Sequence, residues 1–190
     1  MKFTKLKYSF LISLVFILLN SSTASSNEDV HNAQELAQLD NSLNVWTRKK
    51  EQHNDSYAYT VEFASWVGFR YKTTLIVKEG NIVERHYIAY NYSRDTITTA
   101  PEIKFIKKWS EVIQDELGSN DEGAPLKLIG ELYNECRDLL LTKNKLENHI
   151  YFSLDKNGIL KTCQYAPVNC ADDCSMGVSI DSLEFPGNAE

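Results

Sequence analysis

The chain has 190 residues, 43% of them hydrophobic, with 20 basic and 26 acidic side chains and a net charge of −6. A chain of this length and composition can form one domain with a hydrophobic core, and it is too short for two domains of ordinary size. The acidic balance argues against nucleic acid or an anionic membrane surface as a partner.

Residues 1–26 have the features of a secretory signal peptide. A lysine-rich start precedes an apolar run over 10–19, and the small residues that follow predict cleavage after Ala24 or Ser26. The run is shorter than the roughly 18 residues that a membrane anchor needs. We therefore expect a released, soluble domain over 27–190, extracellular in general or periplasmic in a bacterium. Cleavage removes three lysines and no acid, so the net charge moves from −6 to −9.

The first half of the exported chain predicts one helix and three strands. Apolar residues at helical spacing up to Trp46 indicate a helix that begins at Asn27 and fades over 49–55. Alternation of apolar and polar residues over 57–63 predicts a strand, and 65–68 is the expected turn after it. Two more strands are expected over 71–77 and 82–90, joined by a hairpin in which Gly80 supplies a positive φ.

The second half predicts two helices and three strands. Helical spacing from Ile103 to Leu117 indicates a helix over 101–117 that stops at Gly118, and another helix follows Pro125. Strands are expected over 150–154, 159–165 and 178–183. The predicted fold is a single α+β domain in the order α-βββ-αα-βββ, with an antiparallel sheet packed on one face by helices.

Four cysteines predict two structural disulfides in an oxidising compartment. Their spacings lack the C-x-x-C pairs that structural zinc or redox sites favour, so we expect no metal and no cofactor. One bridge should tie the helix that carries Cys136 to the C-terminal loop, and three connectivities remain open. The four residues are Cys136, Cys163, Cys170 and Cys174.

Histidines offer the main catalytic alternative. A secreted hydrolase with a site near His86 or His149 is conceivable, but the chain has neither a G-x-S-x-G elbow nor an H-E-x-x-H helix. Surface or edge positions are the simpler interpretation of these side chains. Asn54 and Asn91 begin N-x-S sequons, which predict glycosylation if the host is eukaryotic.

Aromatic residues carry the clearest indication of binding. Tyrosines concentrate in the first three predicted strands, and Trp66 lies at a predicted turn. They can form a sheet face packed under helices. Alternatively, they can form a solvent-exposed binding surface, because tyrosine and tryptophan combine an apolar ring with a polar group. The second alternative predicts a non-catalytic module that binds an extracellular protein, glycan or small ligand. The candidate binding residues are Trp66, Tyr57, Tyr59 and Tyr87.

The order of these elements resembles a family of small exported α+β domains of unknown function. The resemblance lies in Trp46 at the end of a helix, a Tyr57-x-Tyr59 strand, and two glycine hairpins at Gly80 and Gly158. Many family members have cysteines soon after the Tyr-x-Tyr strand, where this chain has Phe63-Ala-Ser-Trp. The resemblance implies this fold and export, and it implies no activity.

Overall fold

The computed structural model describes residues 27–93, 102–114 and 117–187, with side chains described from residue 33 onward. Two helices and seven strands are formed by these residues. In chain order they are α1 (Asn27–Gln52), β1 (Tyr57–Ala64), β2 (Phe69–Lys78), β3 (Asn81–Ser93), β4 (Glu102–Val112), α2 (Ile129–Thr142), β5 (Asn148–Leu154), β6 (Leu160–Pro167) and β7 (Met176–Glu184). The signal-peptide prediction over 1–26 lies outside the described residues.

The strands form one antiparallel sheet in the order β4-β3-β2-β1-β7-β6-β5. Consecutive strands are neighbours except β4 and β5, which lie at opposite ends of the sheet, and β7 lies between β6 and β1. The C-terminal part of β7 pairs with β1 as far as Ile180 and Val61, and its N-terminal part pairs with β6. β7 therefore joins the four N-terminal strands to the two that follow α2.

The predicted helix over 101–117 is wrong, because residues 102–112 form strand β4. The order is accordingly α-ββββ-α-βββ. Helical spacing from Ile103 to Trp109 misled the prediction, since a register shift opposite Ala89 and Tyr90 gives β4 one extra residue and breaks the period of two. Pairing with the long strand β3 then decides the conformation, as tertiary contacts often override local pattern.

Both helices share one hydrophobic core with alternate residues of the central strands. Trp46 of α1 meets Tyr57 of β1 edge to face, with ring centroids 4.8 Å apart. Ser42 and Tyr133 join the two helices by a hydrogen bond of 2.6 Å. Removal of a large core side chain such as Trp46 typically costs about 3–5 kcal/mol. The remaining fully buried core residues include Leu39, Leu75, Val77, Ile129, Leu140, Ile159 and Leu160.

Two disulfides are present, as predicted: Cys136–Cys163 and Cys170–Cys174. Their Cα atoms are 5.6 and 6.3 Å apart, within the usual range for a disulfide. The predicted bridge from α2 to the cysteine-rich C-terminal segment is present, and its partner Cys163 lies in strand β6. Such pairs are typical of an oxidising, extracellular-type environment. Among the described residues, no helix is long and apolar enough to cross a membrane.

A buried ion pair holds the β4–α2 loop against the sheet. Arg85 of β3 binds Glu111 of β4 through two contacts of 2.9 and 3.0 Å, and its guanidinium also donates to the carbonyls of Asn120 and Ala124. Glu111 in turn accepts the N–H groups of Gly118 and Asn120. Burial by itself raises the pKa of Glu111, but these hydrogen bonds together outweigh it and lower that pKa.

Candidate functional site

Three of the four aromatic residues considered for binding are buried. Tyr57 and Tyr59 lie in the core under the start of α2, where the Tyr57 hydroxyl accepts the Ile129 N–H and the Tyr59 hydroxyl donates to the Lys127 carbonyl. Burial raises the pKa of Tyr57 to about 12 and raises that of Tyr59 further. These hydroxyls anchor the segment that leads into α2, and no partner can reach the two rings in this fold.

Tyr87 is also buried, beneath the β4–α2 loop. Its ring stacks on Trp109 at 5.1 Å, with 13° between the planes. Gly123 crosses above it at φ +83°, where an added Cβ would lie 2.8 Å from the Tyr87 ring and 2.7 Å from the Thr73 hydroxyl. Glycine therefore lets the loop lie directly on the sheet, and this contact covers the tyrosine.

Trp66 lies at the turn between β1 and β2 with 74% of its surface exposed. Val67 beside it is also exposed. The turn is tight: the Ser65 N–H donates to the Phe69 carbonyl at 2.8 Å, and the Gly68 N–H donates to the Ser65 carbonyl at 3.1 Å. A Trp in so short a turn has no neighbouring core to enter.

The turn is also attached to strand β3. The Tyr92 N–H donates to the Gly68 carbonyl at 2.8 Å. Gly68 has φ +95°, and an added Cβ would meet the Tyr92 carbonyl oxygen at 2.3 Å. Only glycine permits both this backbone conformation and this close approach. The exposed pair Trp66 and Val67 is thus held beside the end of β3.

Asp173 fixes the same turn from the other side. Its carboxylate accepts the Ser65 hydroxyl and, at 3.1 Å, the Trp66 N–H. Asp173 belongs to the short loop that the Cys170–Cys174 disulfide closes. The disulfide loop therefore holds the turn by charge-assisted hydrogen bonds, which are stronger than those between neutral groups.

Strand β4 extends the apolar surface beside this turn. Ile103 pairs with Tyr92 and Phe105 pairs with Tyr90, and both side chains are more than half exposed. Because Tyr92 also binds the turn, Ile103 lies one strand away from Gly68. We call the exposed residues at this end of the sheet the apolar tip, consisting of Trp66, Val67, Ile103 and Phe105.

Polar and charged groups border the apolar tip. The guanidinium of Arg70 lies 5.0 Å from the centre of the Tyr92 ring, and Glu62 is 3.6 Å from the same guanidinium. An open, mainly polar cleft of about 230 Å³ lies on the other side, between the end of β1 and β7. Phe63, Gln164 and Asp173 are among its lining residues. The tip is thus an apolar centre with a polar rim.

His86 makes contacts that resemble those of a catalytic base. Its Nδ1 lies 2.8 Å from the Ser110 hydroxyl and its Nε2 lies 3.1 Å from a Glu84 carboxylate oxygen. The three residues lie on neighbouring strands β3 and β4, and Ser110 is exposed on the sheet surface. His149 is exposed on β5, far along the sheet order from His86. The structure does not bring the two candidate histidines together.

The remaining sequence candidates are simple to place. Asn54 is exposed in the turn after α1, and Asn91 is exposed near the end of β3. Both sequon side chains therefore remain accessible. Within the described ranges, no cluster of three or more His, Cys, Asp or Glu side chains could hold a metal ion.

Sequence reasoning missed the β4 part of the apolar tip and the role of Asp173. Ile103 and Phe105 were assigned to a helix, so their exposure on a strand could not be foreseen. Asp173 contacts a turn more than a hundred residues away, and no local pattern marks such a contact. Comparisons of the chain with protein-family models, with curated proteins and with solved structures found no match.

Proposed function

We propose that this protein is an exported, disulfide-stabilised, non-catalytic module that binds another protein through the apolar tip. One observation carries the proposal: four large apolar side chains are exposed together at one end of the sheet, on a turn and a strand that hydrogen bonds connect through Tyr92. Single exposed apolar residues are ordinary, whereas several at one end of a sheet, bordered by polar groups, are typical of an interaction site.

The rigidity of the turn supports this role. Asp173, Ser65 and Gly68 hold the Trp66 backbone in place before any partner arrives. A surface that is already ordered loses less conformational entropy on association, which favours affinity. Tryptophan is also among the residues that most often dominate the binding free energy of an interface.

Export is part of the same proposal. The disulfides, the signal-like residues 1–26 and the acidic net charge all suit a protein that works outside the cytoplasm. The resemblance to small exported α+β domains agrees with this and adds no activity. In this arrangement the helices cover one face of the sheet, and a partner approaches the exposed end.

Matched aromatic substitutions test the proposal. Trp66→Ala should weaken capture of the partner from the native extracellular or periplasmic fluid, whereas Tyr151→Ala should not, because Tyr151 is exposed on the distant strand β5. Capture is quantified by pull-down with purified variants whose melting temperatures match. Equal capture by the two variants and the unmodified protein would contradict a role for the tip.

A secreted hydrolase remains the second candidate, because Ser110, His86 and Glu84 are hydrogen-bonded in series. In such a site the Ser110 hydroxyl would attack an acyl carbon and pass its proton to His86 Nδ1, while Glu84 would stabilise the resulting imidazolium. The position of Ser110 on an exposed strand offers little exclusion of water, which such chemistry usually needs.

An active-site probe separates the two candidates. A fluorophosphonate should label Ser110 only if His86 activates its hydroxyl. Mass spectrometry of the labelled protein, with Ser153→Ala and Ser110→Ala variants compared, identifies the modified serine. The binding proposal expects no labelling at Ser110, and labelling that Ser110→Ala abolishes would favour the hydrolase instead.

A further inference from the structure

We propose that the free edge of strand β4 receives an extended, acidic segment of a partner protein as an additional β-strand. This inference rests on the proposed function, because β4 forms half of the apolar tip. β4 is the terminal strand of the sheet order, so its outer backbone edge has no strand beside it in the described part of the chain. A free edge offers backbone donors and acceptors to an incoming extended peptide.

β4 is a long edge strand on which large apolar side chains are exposed between the lysines. Residues 102–108 are all exposed, and Ile103, Phe105 and Ile106 are exposed by 53, 69 and 52%. Edge strands of monomers are commonly short, lysine-bearing, bulged or covered, because a long apolar edge invites pairing. β4 has lysines and a bulge at Ile106. β4 has 11 residues and presents three large apolar side chains. These features suit a strand that pairs with a partner.

The lysines of β4 indicate the charge of that partner. Lys104 and Lys108 are exposed and form no ion pair among the residues that the structure describes, whereas Lys107 binds Glu122 at 2.5 Å. Of the acids on β4, Glu111 is buried against Arg85, and Glu102 stands at the first position of the strand. Two unpaired positive charges on the edge of a chain with net charge −6 favour an acidic segment and repel a basic one.

The same lysines oppose pairing with a second copy of this chain. An antiparallel pairing of two β4 strands centred on Ile106 would place Lys104 of each copy opposite Lys108 of the other. Like charges directly opposite each other destabilise a sheet. The lysines therefore disfavour this register of self-pairing, whereas an acidic segment would meet them with the opposite charge.

The register of β4 also indicates the pattern of the partner segment. Ile106 is the extra residue at the shift opposite Ala89 and Tyr90, so the strand is regular over 102–105. Ile103 and Phe105 alternate with Lys104, and paired residues of a sheet share a face. A segment that alternates apolar and acidic residues would place apolar groups beside Ile103 and Phe105, and an acid beside Lys104.

Capped peptides of about nine residues test the inference, since this is a usual strand length. One peptide alternates valine with glutamate and the other alternates valine with lysine. We expect the glutamate peptide to shift the backbone amide signals of residues 103–105 in the ¹⁵N-labelled protein and to slow hydrogen exchange of those amides among them that point away from β3, whereas the lysine peptide should not bind. N-methylation of one set of alternate peptide amides should abolish binding, and methylation of the other set should leave it, because only one edge of an added strand pairs with β4.

Charge reversal provides the matched variants. Lys104→Glu combined with Lys108→Glu should weaken binding of the glutamate peptide about tenfold or more, because each reversal replaces an attractive cross-strand charge pair with a repulsive one. Lys156→Glu, at the exposed β5–β6 turn, is the control and should change little. Spectra of the free variants confirm that each is folded before peptide is added.

Four results would overturn the inference: equal binding of the two peptides, equal tolerance of both methylation patterns, no peptide binding at all, or dimerisation through β4 in sedimentation. A different result would contradict the proposed function, namely that Trp66→Ala captures the partner as well as the unmodified protein does. If Trp66→Ala reduces capture while neither peptide shifts the amide signals of β4, the apolar tip binds its partner without strand addition.

Discussion

The carboxylate of Asp173 accepts the backbone N–H of Trp66 at 3.1 Å, although the two residues lie 107 positions apart in the chain. The same carboxylate accepts the Ser65 hydroxyl. The turn that exposes Trp66 is therefore ordered by a loop that the Cys170–Cys174 disulfide closes. This contact links the second disulfide to the candidate binding surface.

Asp173→Ala should loosen the turn without unfolding the protein. Loss of the two hydrogen bonds at an exposed site should cost about 1 kcal/mol or less in global stability, but hydrogen exchange of the Trp66 and Val67 amides should accelerate. The neighbouring Asp172 is exposed, and its side chain forms no hydrogen bond with the residues that the structure describes, so Asp172→Ala is the control. Similar exchange in both variants would show that Asp173 does not order the turn.

The two tryptophans Trp66 and Trp46 should respond oppositely to truncation. Trp66→Ala should leave the melting temperature nearly unchanged, because the side chain is exposed. Trp46→Ala should cost about 3–5 kcal/mol, since it removes a fully buried ring from the core. Thermal and urea unfolding of the two variants measure the difference. A large loss of stability in Trp66→Ala would mean that the ring packs against the protein and is not free for a partner.

The ion pair of Arg85 and Glu111 should make the stability of the fold depend on pH. The pKa of Glu111 is lowered in the folded protein, so its contribution is complete above the ordinary glutamate pKa and is lost as pH falls toward the lowered value. The free energy of unfolding should therefore decrease as the pH is lowered from neutral to pH 3. In Glu111→Gln the free energy of unfolding should change less over this pH range than in the unmodified protein, because the titrating carboxylate is absent.

Glu111→Gln should also destabilise the protein at neutral pH by about 3–5 kcal/mol, because it leaves Arg85 charged and buried without a counter-charge. Glu122→Gln is the control, since Glu122 forms an exposed pair with Lys107 and should have a small effect. Urea denaturation at pH 7 measures both. If the two variants lose the same stability, the buried pair does not hold the β4–α2 loop.

The Cys136–Cys163 bridge should stabilise the fold more than the Cys170–Cys174 bridge. Chain-entropy arguments give roughly 3–4 kcal/mol for a separation of 27 residues and roughly 2 kcal/mol for a separation of 4. Denaturant unfolding of two variants, each with both cysteines of one bridge replaced by alanine, tests which bridge contributes more stability. Intact mass should show no free thiol in the purified, unreduced protein, and alkylation of two thiols without reduction would contradict the two-disulfide assignment.

The sequence by itself determined the elements whose patterns are local. The helical period up to Trp46, the alternation over 57–63 and the glycine hairpin at Gly80 each depend on neighbours within a few residues. Hydrophobic period and turn chemistry are therefore enough to predict them. The even number of cysteines after a segment that resembles a signal peptide also predicted two disulfides, and left their pairing open.

Tertiary structure alone decided which aromatic residues are buried, what conformation 102–112 adopts and how the turn at Trp66 is held. Tyr57 and Tyr59 are covered because α2 and the segment before it lie over β1, which no strand pattern can show. Residues 102–112 became a strand because β3 offered a long edge and a bulge absorbed Ile106. The contact of Asp173 with Trp66 exists because β7 returns beside β1 and brings the disulfide loop to the turn. Each of these outcomes depends on residues distant in sequence, and such contacts are fixed when the chain packs.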